Sequence, residues 1–524
     1  MAAIQPDSTI LIFHGMPIDD TYSDSLYFAN KGAQTSFFTG SSNTYLKYTF
    51  NSQSYQRVNS GVFEANIKAD DLYDCNYMAF KNTAYGTKWF YAFITSVEYR
   101  NNENSYVYYE IDVIQTYLFD GAIIENCMIE REHTPTDLIG DHILPEPVEC
   151  GDYIFDGYSA IDQNHQLELA YIAVVVCEST TTSSPIPGGI FDNIFCGGSV
   201  KIFNTSANSQ ILDYLSDYIT TPQSIVSLYM IPKMCIGANV VVPDAGLTLS
   251  QGDVGASAIY TFQKPTTSWT FGGYTPKNKK LYTYPYCFFQ INTPEGNVLQ
   301  TKYEFFSTLT AQFEISTCIM APVQIKIQPL SYKGSSSELN HRCTNESLVI
   351  TGYPLCGWSY DSYSAWQAMN TVPMLVNAGT SMLSSGMNGN LGSGVMSALS
   401  DSFTQTYRAK QLEGMPRGNF ASGNVNFAHQ IMQFYGGICK ITEEYARAID
   451  GFFTAYGYKV NRLGTPVLNN RPHYTYIKTI GCKVKGLAPS DATRKIGEIF
   501  DKGITFWITP SEVGNYSVDN SPST

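Results

Sequence analysis

Two aromatic and β-branched runs separated by a polar turn set the first constraint on the fold. Lys88–Tyr99 and Ser105–Gln115 flank Arg100-Asn-Asn-Glu-Asn104, the pattern of a β-hairpin. In the second run Val107, Tyr109, Ile111 and Val113 alternate with Tyr106, Tyr108, Glu110 and Asp112. A period of two sends the two sets to opposite faces of a strand. One face is core. The other sets two carboxylates among aromatic rings, so it is wet or lines something.

Composition extends this expectation to the whole chain. Of 524 residues only 15% are charged, where about 25% is usual for a soluble domain. The 38 Tyr outnumber the 32 Lys and Arg, a bias suited to half-buried strands and contact surfaces. Hydrophobic residues make up 44% and mean hydropathy is −0.14, which fits neither a membrane protein by composition nor a disordered chain. At roughly 150 residues per domain the length suggests three to four domains. The net charge of −14 argues against a protein that holds nucleic acid by neutralising phosphate. The charge is lopsided: residues 1–150 carry 8 Lys and Arg against 20 Asp and Glu, and residues 431–524 carry 11 against 8.

Enzyme chemistry leaves little trace. The 12 cysteines never come closer than Cys343 and Cys356, so no CxxC metal or redox unit exists. The start, Met1-Ala-Ala-Ile-Gln-Pro-Asp7, has neither the basic flank nor the apolar run of a signal peptide, and reduced, mostly buried thiols are expected. GxSxG, Walker, HExxH and EF-hand patterns are missing. Asp70-Asp71 with Asp74, and Glu130 with Glu132, are the carboxylate pairs that glycoside hydrolysis could use, but such spacings usually mark solvated surface. His133 reads as structural or exposed. No catalytic residue, metal or cofactor is expected.

From Glu149 onward the texture shifts to Gly, Ser, Thr and Pro with short apolar runs such as Leu169–Val176 and Ile225–Ile231. Residues 150–270 therefore read as an inserted or second domain. Strands resume at Leu281–Ile291, with a turn at Glu295-Gly-Asn297 leading to Tyr303. Thr442–Gly457 reads as a helix with an N-cap Thr, acids in the first turn and a stripe of Tyr445, Ile449, Phe452, Phe453 and Tyr456. Ser490–Gly503 repeats that design, followed by a strand at Ile504–Ile508.

One stretch breaks the pattern. The 39 residues Ser362–Ser400 contain no Asp, Glu, Lys or Arg and hold five of the 14 Met. Leu383, Met387, Leu391, Val395, Leu399 and Phe403 recur every four residues, and Met374, Leu375, Met382 and Met396 add further apolar bulk. Gly386, Gly394 and Ala398 supply the small-residue spacing that lets helices approach closely in lipid. A Gly/Ser-rich linker and a membrane-active segment both fit these residues. A constitutive transmembrane helix does not, because Asn, Ser and Gly interrupt every run well short of ~20 apolar residues.

The segments Asn82–Thr95, Tyr109–Asp120 and Glu130–His133, then Phe453–Arg462, Phe500–Trp507 and Gly514–Val518, fall in an order that is similar to the distal tail knob proteins of phi twenty-nine-like short-tailed phages of Gram-positive bacteria. The likeness covers residues 1–135 and 430–524, with islands between them at Phe271–Tyr274 and Tyr284–Cys287. It implies a mainly β, multidomain chain: barrel-like tube domains, an inserted β-rich knob domain, a few short helices near the C-terminus, and assembly into a hexameric tube. The implied division is a tube domain at 1–149, an outer knob at 150–270, a second tube domain at 271–361, a distal loop region at 362–430 and an α+β part at 431–524. The resemblance further implies a virion protein at the distal end of the tail, made in the host cytoplasm. Its implied partners are five further copies of itself, a proximal tail or lower collar protein, a cell-wall-degrading tail tip protein, the host cytoplasmic membrane, and phage DNA as a non-specific passenger. In that family a hydrophobic loop region plugs the tube and then opens the membrane, which favours the membrane reading of the uncharged stretch from Ser362 to about Met415. A conduit for DNA should repel phosphate, which makes Glu110 and Asp112 candidate channel-lining residues. The competing readings are an adhesin whose Tyr-rich knob grips cell-wall glycan, and a wall-degrading enzyme.

Overall fold

The computed structural model describes residues 7–40, 43–54, 60–86, 88–162, 165–176, 189–191, 194–196, 198–216, 225–255, 257–293, 296–319, 323–334, 346–350, 355–359, 417–421, 433–486 and 488–522. The fold is mainly β and divides into two compact units. One is built from Met1–Asp152, Thr267–Pro285 and Ile441–Thr524, the other from Tyr153–Thr266 and Tyr286–Lys440.

The first unit contains a six-stranded sheet ordered Leu46–Gln53, Ser8–His14, Cys75–Asn82, Trp89–Tyr99, Ser105–Ile111 and Ser60–Ala65. The hairpin read from the sequence supplies its fourth and fifth strands, and Val107, Tyr109 and Ile111 are buried while Glu110 is exposed. A five-stranded sheet ordered Asp24–Leu26, Ile504–Trp507, Tyr474–Ile480, Cys127–Glu132 and Tyr458–Gly464 joins strands from both ends of the chain. One hydrophobic cluster runs from Ile10, Phe38, Tyr77 and Phe93 to Ile477, Ile496, Phe500 and Trp507. Each such side chain taken fully out of water contributes about 1.5–3 kcal/mol, so the two ends of the chain are held together chiefly by shared core.

The second unit contains a six-stranded sheet ordered Leu247–Thr248, Ser199–Asn204, Leu169–Val176, Ile225–Pro232, Leu355–Ser359 and Arg417–Ala421. It also has a four-stranded sheet ordered Tyr153–Ala160, Tyr435–Ile441, Cys287–Asn292 and Val298–Thr301, and another ordered Ala258–Gln263, Thr310–Cys318, Gln324–Leu330 and Leu348–Ile350. These pairings correct the expected domain limits. The stretches 150–270 and 271–361 share sheets, since Ala258–Gln263 pairs with Thr310–Cys318 and Ile225–Pro232 with Leu355–Ser359. Long-range strand pairing, invisible in a local composition shift, decides the grouping. Within the expected loop region 362–430 the described residues are 417–421, a strand paired with Leu355–Ser359.

Among the described residues the α-helices are α1 (Lys31–Thr39), α2 (Asn208–Ser216), α3 (Glu443–Tyr456) and α4 (Ser490–Lys502). Only α3 and α4 were expected. In α3 the buried residues are Ala446, Ile449, Asp450 and Phe453, so the inward stripe is rotated away from Tyr445 and Tyr456, which are exposed. Gly457 ends α3 at φ +63, a conformation that disfavours side chains, and an added Cβ there would collide with the carbonyl of Glu132. The run Leu281–Ile291 is a strand only from Cys287; before it lie a 3₁₀ turn at Lys279–Tyr282 and a cis Tyr284–Pro285 peptide bond. Cys75, Cys127, Cys287 and Cys439 are buried free thiols and Cys482 is a partly exposed one; Cys235 is buried, and Cys150 and Cys318 are partly exposed.

Candidate functional site

The two proposed wall acids part company. Along Ser105–Ile111 the pleat turns Tyr106, Tyr108 and Glu110 to the open face, where Tyr106 lies in register with Glu64 on one neighbouring strand and Glu98 on the other. Tyr108 donates its hydroxyl to Glu98 at 2.6 Å, Arg100 pairs with Glu64, and Lys495 of α4 reaches Glu110 at 2.6 Å. The face is therefore a mixed ionic surface with three carboxylates and two cations. Asp112 is not on it. The strand stops at Ile111, and Asp112 turns inward at 1% exposure to accept the backbone N–H groups of Ile114 and Gln115 at 3.0 and 3.1 Å and the Tyr77 hydroxyl at 2.9 Å. It caps the helical turn Ile114–Leu118, and burial pushes its carboxyl up to about 6. Alternation could not foresee this because it ends where the strand ends.

Part of the N-terminal acidity is answered inside the first unit by the basic C-terminal part. Glu110 meets Lys495, Glu125 meets Lys485, Glu130 meets Lys478 and Glu132 meets Arg462. Counted over the three segments of that unit, 21 Lys and Arg stand against 29 Asp and Glu, a net of −8 instead of the −12 of residues 1–150 alone. The candidate hydrolytic pairs resolve in the same way. Asp74 is held by Lys47 at 2.7 Å, and Glu130 and Glu132 each have their own cation.

The strongest polar feature of the unit is a buried junction that sequence reasoning missed. Glu146, with no exposed side-chain surface, pairs with Arg131 and Lys280 and accepts the Lys459 N–H at 2.9 Å. Asp450 of α3 takes the backbone N–H groups of Lys277 and Asn278 at 2.9 and 3.0 Å together with the Tyr274 hydroxyl. Asp137 takes the Tyr458 hydroxyl at 2.7 Å and the Lys279 N–H at 3.2 Å. Three carboxylates from different parts of the chain thus grip Tyr274–Lys280, which is why Thr267–Pro285 belongs to this unit. Burial pushes the Lys280 ammonium down and the Asp137 carboxyl up. Beside them His133 is fully enclosed, accepts the Tyr476 N–H at Nδ1 and faces the Thr454 carbonyl at 3.1 Å, and burial lowers it to about 3, leaving it neutral. Nothing in the local spacing of these acids distinguishes them from surface residues. Arg131, His133, Tyr274, Thr454, Tyr458 and Lys459 fell in segments already singled out, and Asp450 in an expected helix, whereas Asp137, Glu146 and Lys280 did not.

Among the described residues no group of three His, Cys, Asp or Glu side chains could hold a metal ion, and no helix is long and apolar enough to cross a membrane. The expected membrane-active residues Met374, Leu375, Met382, Leu383, Met387, Leu391, Val395, Met396, Leu399 and Phe403 lie outside the described residues.

The family model for the C-terminal domain of the Bacillus phage phi29 tail knob protein gp9 matches residues 256–521, half of the chain. The chain belongs to this tail knob family. A second model, of the caudoviral major tail protein N-terminus, matches residues 6–122. Among curated relatives, the tail knob protein gp9 of Bacillus phage PZA is 26% identical across 98% of both chains. That of phi29 is 27% identical across 94% of this chain and 96% of its own, and that of Bacillus phage B103 is 26% identical across 98% of both. The tail knob protein gp12 of bacteriophage C1 shares the fold, with a TM-score of 0.65 at 14% identity over 98% of this chain and 99% of that one. The expected likeness, the mainly β multidomain fold and the place in the virion tail therefore stand. As a member of this family the chain is a structural tail knob component.

Proposed function

We propose that six copies of this chain form the distal tube of a short phage tail, conduct the genome through it and open the host cytoplasmic membrane with the uncharged stretch Ser362–Ser400. The observation that carries the reading is that stretch: 39 residues without a charge, holding five of 14 Met, in a member of a tail knob family. Flexible Met side chains and the lack of any ionic group allow a segment to leave a protein environment for lipid. Glu110, together with Glu64 and Glu98 on the same sheet face, is the candidate channel lining; Lys495 and Arg100 moderate its repulsion of phosphate. A docked proximal tail protein and a wall-degrading tip protein complete the proposed set of partners.

Dye release from liposomes tests the membrane role. The purified protein is expected to release dye, and deletion of Thr371–Ser400 is expected to abolish release; unchanged leakage by the deletion variant overturns the reading. Met387→Asp and Leu391→Asp are expected to act likewise while sparing assembly, because a charge in lipid costs about 3 kcal/mol on insertion scales. Native mass spectrometry is expected to show sixfold rings, and a purely monomeric spectrum contradicts the tube.

A further inference from the structure

The four-stranded sheet that contains Cys287–Asn292 has one face packed and one face open at its Asn292 end. Phe289, Ile291 and Leu299 point into the core. Gln290 and Asn292 alternate to the other side, in register with Gln300 and Val298 on one neighbour and with Gly437 and Tyr435 on the other. Gly437 leaves room there for Tyr158, since an added Cβ would lie 2.9 Å from the Tyr158 Cα. Tyr158 consequently stacks on Tyr435 at 5.9 Å and 17°, with Phe155 edge-on at 5.3 Å. An amide relay runs alongside the rings. Gln300 Nε2 donates to Gln290 Oε1 at 3.1 Å, Gln290 Nε2 to Asn292 Oδ1 at 3.0 Å, and Asn292 Nδ2 to the Tyr158 hydroxyl at 3.3 Å.

Each amide in this relay is oriented by the next and keeps further donor and acceptor positions of its own. Two surface phenol rings, one of them 45% exposed, stand at its end. Pre-ordered amides beside aromatic planes suit a ligand with many hydroxyl or acetamido groups on one side and apolar C–H surface on the other. The relay contains no ionic group. The adjacent ion pair turns its carboxylate outward, because the Asp156 side chain is 60% exposed and that of Lys440 only 5%. That arrangement disfavours a polyanion such as DNA or teichoic acid. A lipid surface is disfavoured as well, since it would bury the amides without partners.

We propose that this face binds an uncharged polysaccharide, with sugar rings on Tyr158, Tyr435 and Phe155 and hydroxyl or acetamido groups on Gln290, Asn292 and Gln300. The proposal is independent of genome conduction and of membrane opening. Co-sedimentation of the full-length protein with Gram-positive sacculi stripped of teichoic acid, with intact sacculi, and titration with soluble teichoic acid provide the test. Stripped sacculi are expected to bind the protein, and Tyr158→Ala to weaken binding about tenfold, the loss of one good stacking or hydrogen-bonding contact. Gln300→Ala, at an exposed position that should not disturb folding, is expected to weaken it in the same direction, with thermal melting confirming that both variants fold. Failure of the wild type to bind stripped sacculi overturns the proposal, as does binding that depends on teichoic acid or is unchanged in the folded Gln300→Ala variant. If Tyr158→Ala instead disrupts an oligomer and leaves sacculus binding unaltered, the face is an interface between copies and the proposal falls.

Discussion

Glu132 and Arg462, 330 positions apart, form a two-pronged ion pair at 2.5 and 2.9 Å. The pair depends on a register shift between Lys459 and Arg462, where Asn461 adopts φ +44 and Arg462 is turned onto the neighbouring strand. Its two ends are unequal: Glu132 is 1% exposed, whereas the Arg462 side chain is 41% exposed. Hydrogen bonding to Glu132 raises the Arg462 guanidinium still further above its ordinary value.

That inequality predicts asymmetric mutants. Arg462→Ala leaves a buried carboxylate without its cation and is expected to cost about 3 kcal/mol of stability. Glu132→Gln leaves an Arg that solvent can reach, and should cost about 1 kcal/mol. Urea unfolding of the two variants checks the order, and equal losses would contradict it.

At the buried junction, Glu146→Gln removes the single counter-charge shared by Arg131 and Lys280. A destabilisation of about 3–5 kcal/mol is expected, because two buried cations then face no carboxylate there. Hydrogen exchange should show the loss concentrated in Thr267–Pro285, the segment held by this junction.

Asp112 and His133 predict pH effects of opposite sign. The Asp112 carboxyl rises from 3.8 to about 6 on folding, so between those values the native state binds more protons than the unfolded one. Its stabilising contribution is complete below pH 3.8 and is lost as pH rises through about 6. Asp112→Asn abolishes that loss, and the wild type should fall relative to the variant by about 2 kcal/mol between pH 4 and pH 7. Parallel stability profiles would show that the buried carboxyl does not titrate in this window.

His133 goes the other way, from 6.5 to about 3 on folding. Here the unfolded state binds more protons, and stability is lost as pH falls from 6.5 toward 3. His133→Gln is expected to flatten this acid limb of the stability curve while lowering stability at pH 7, where the bonds to Tyr476 and Thr454 are lost. A curve that stays as steep as that of the wild type would rule out His133 as its source.

The regular elements were legible because each rests on short-range pattern. Strict alternation placed Val107, Tyr109 and Ile111 inside and Glu110 outside, and Gly457 and Gly503 marked the ends of α3 and α4. The face of α3 was less legible. Five aromatic and aliphatic residues suggested one stripe, yet Asp450 is inside and Tyr445 and Tyr456 are outside, because the segment packed against that helix offers backbone N–H groups and a hydroxyl that only a carboxylate satisfies.

The sequence by itself determined a strand-dominated chain, its hairpin and late helices, its tail knob kinship and the position of its uncharged stretch, since all of these are written in local periodicity, composition or motif order. Which acids stand on an open sheet face and which are clasps follows from the tertiary structure alone. Glu110, Asp112, Glu132 and Glu146 look alike along the chain, and they differ because the fold gives each a different partner: a surface lysine, the end of the next helical turn, a turned arginine and a buried Arg–Lys pair. A carboxylate's role follows from its solvent exposure and its partner, and both are set by how the chain folds around it.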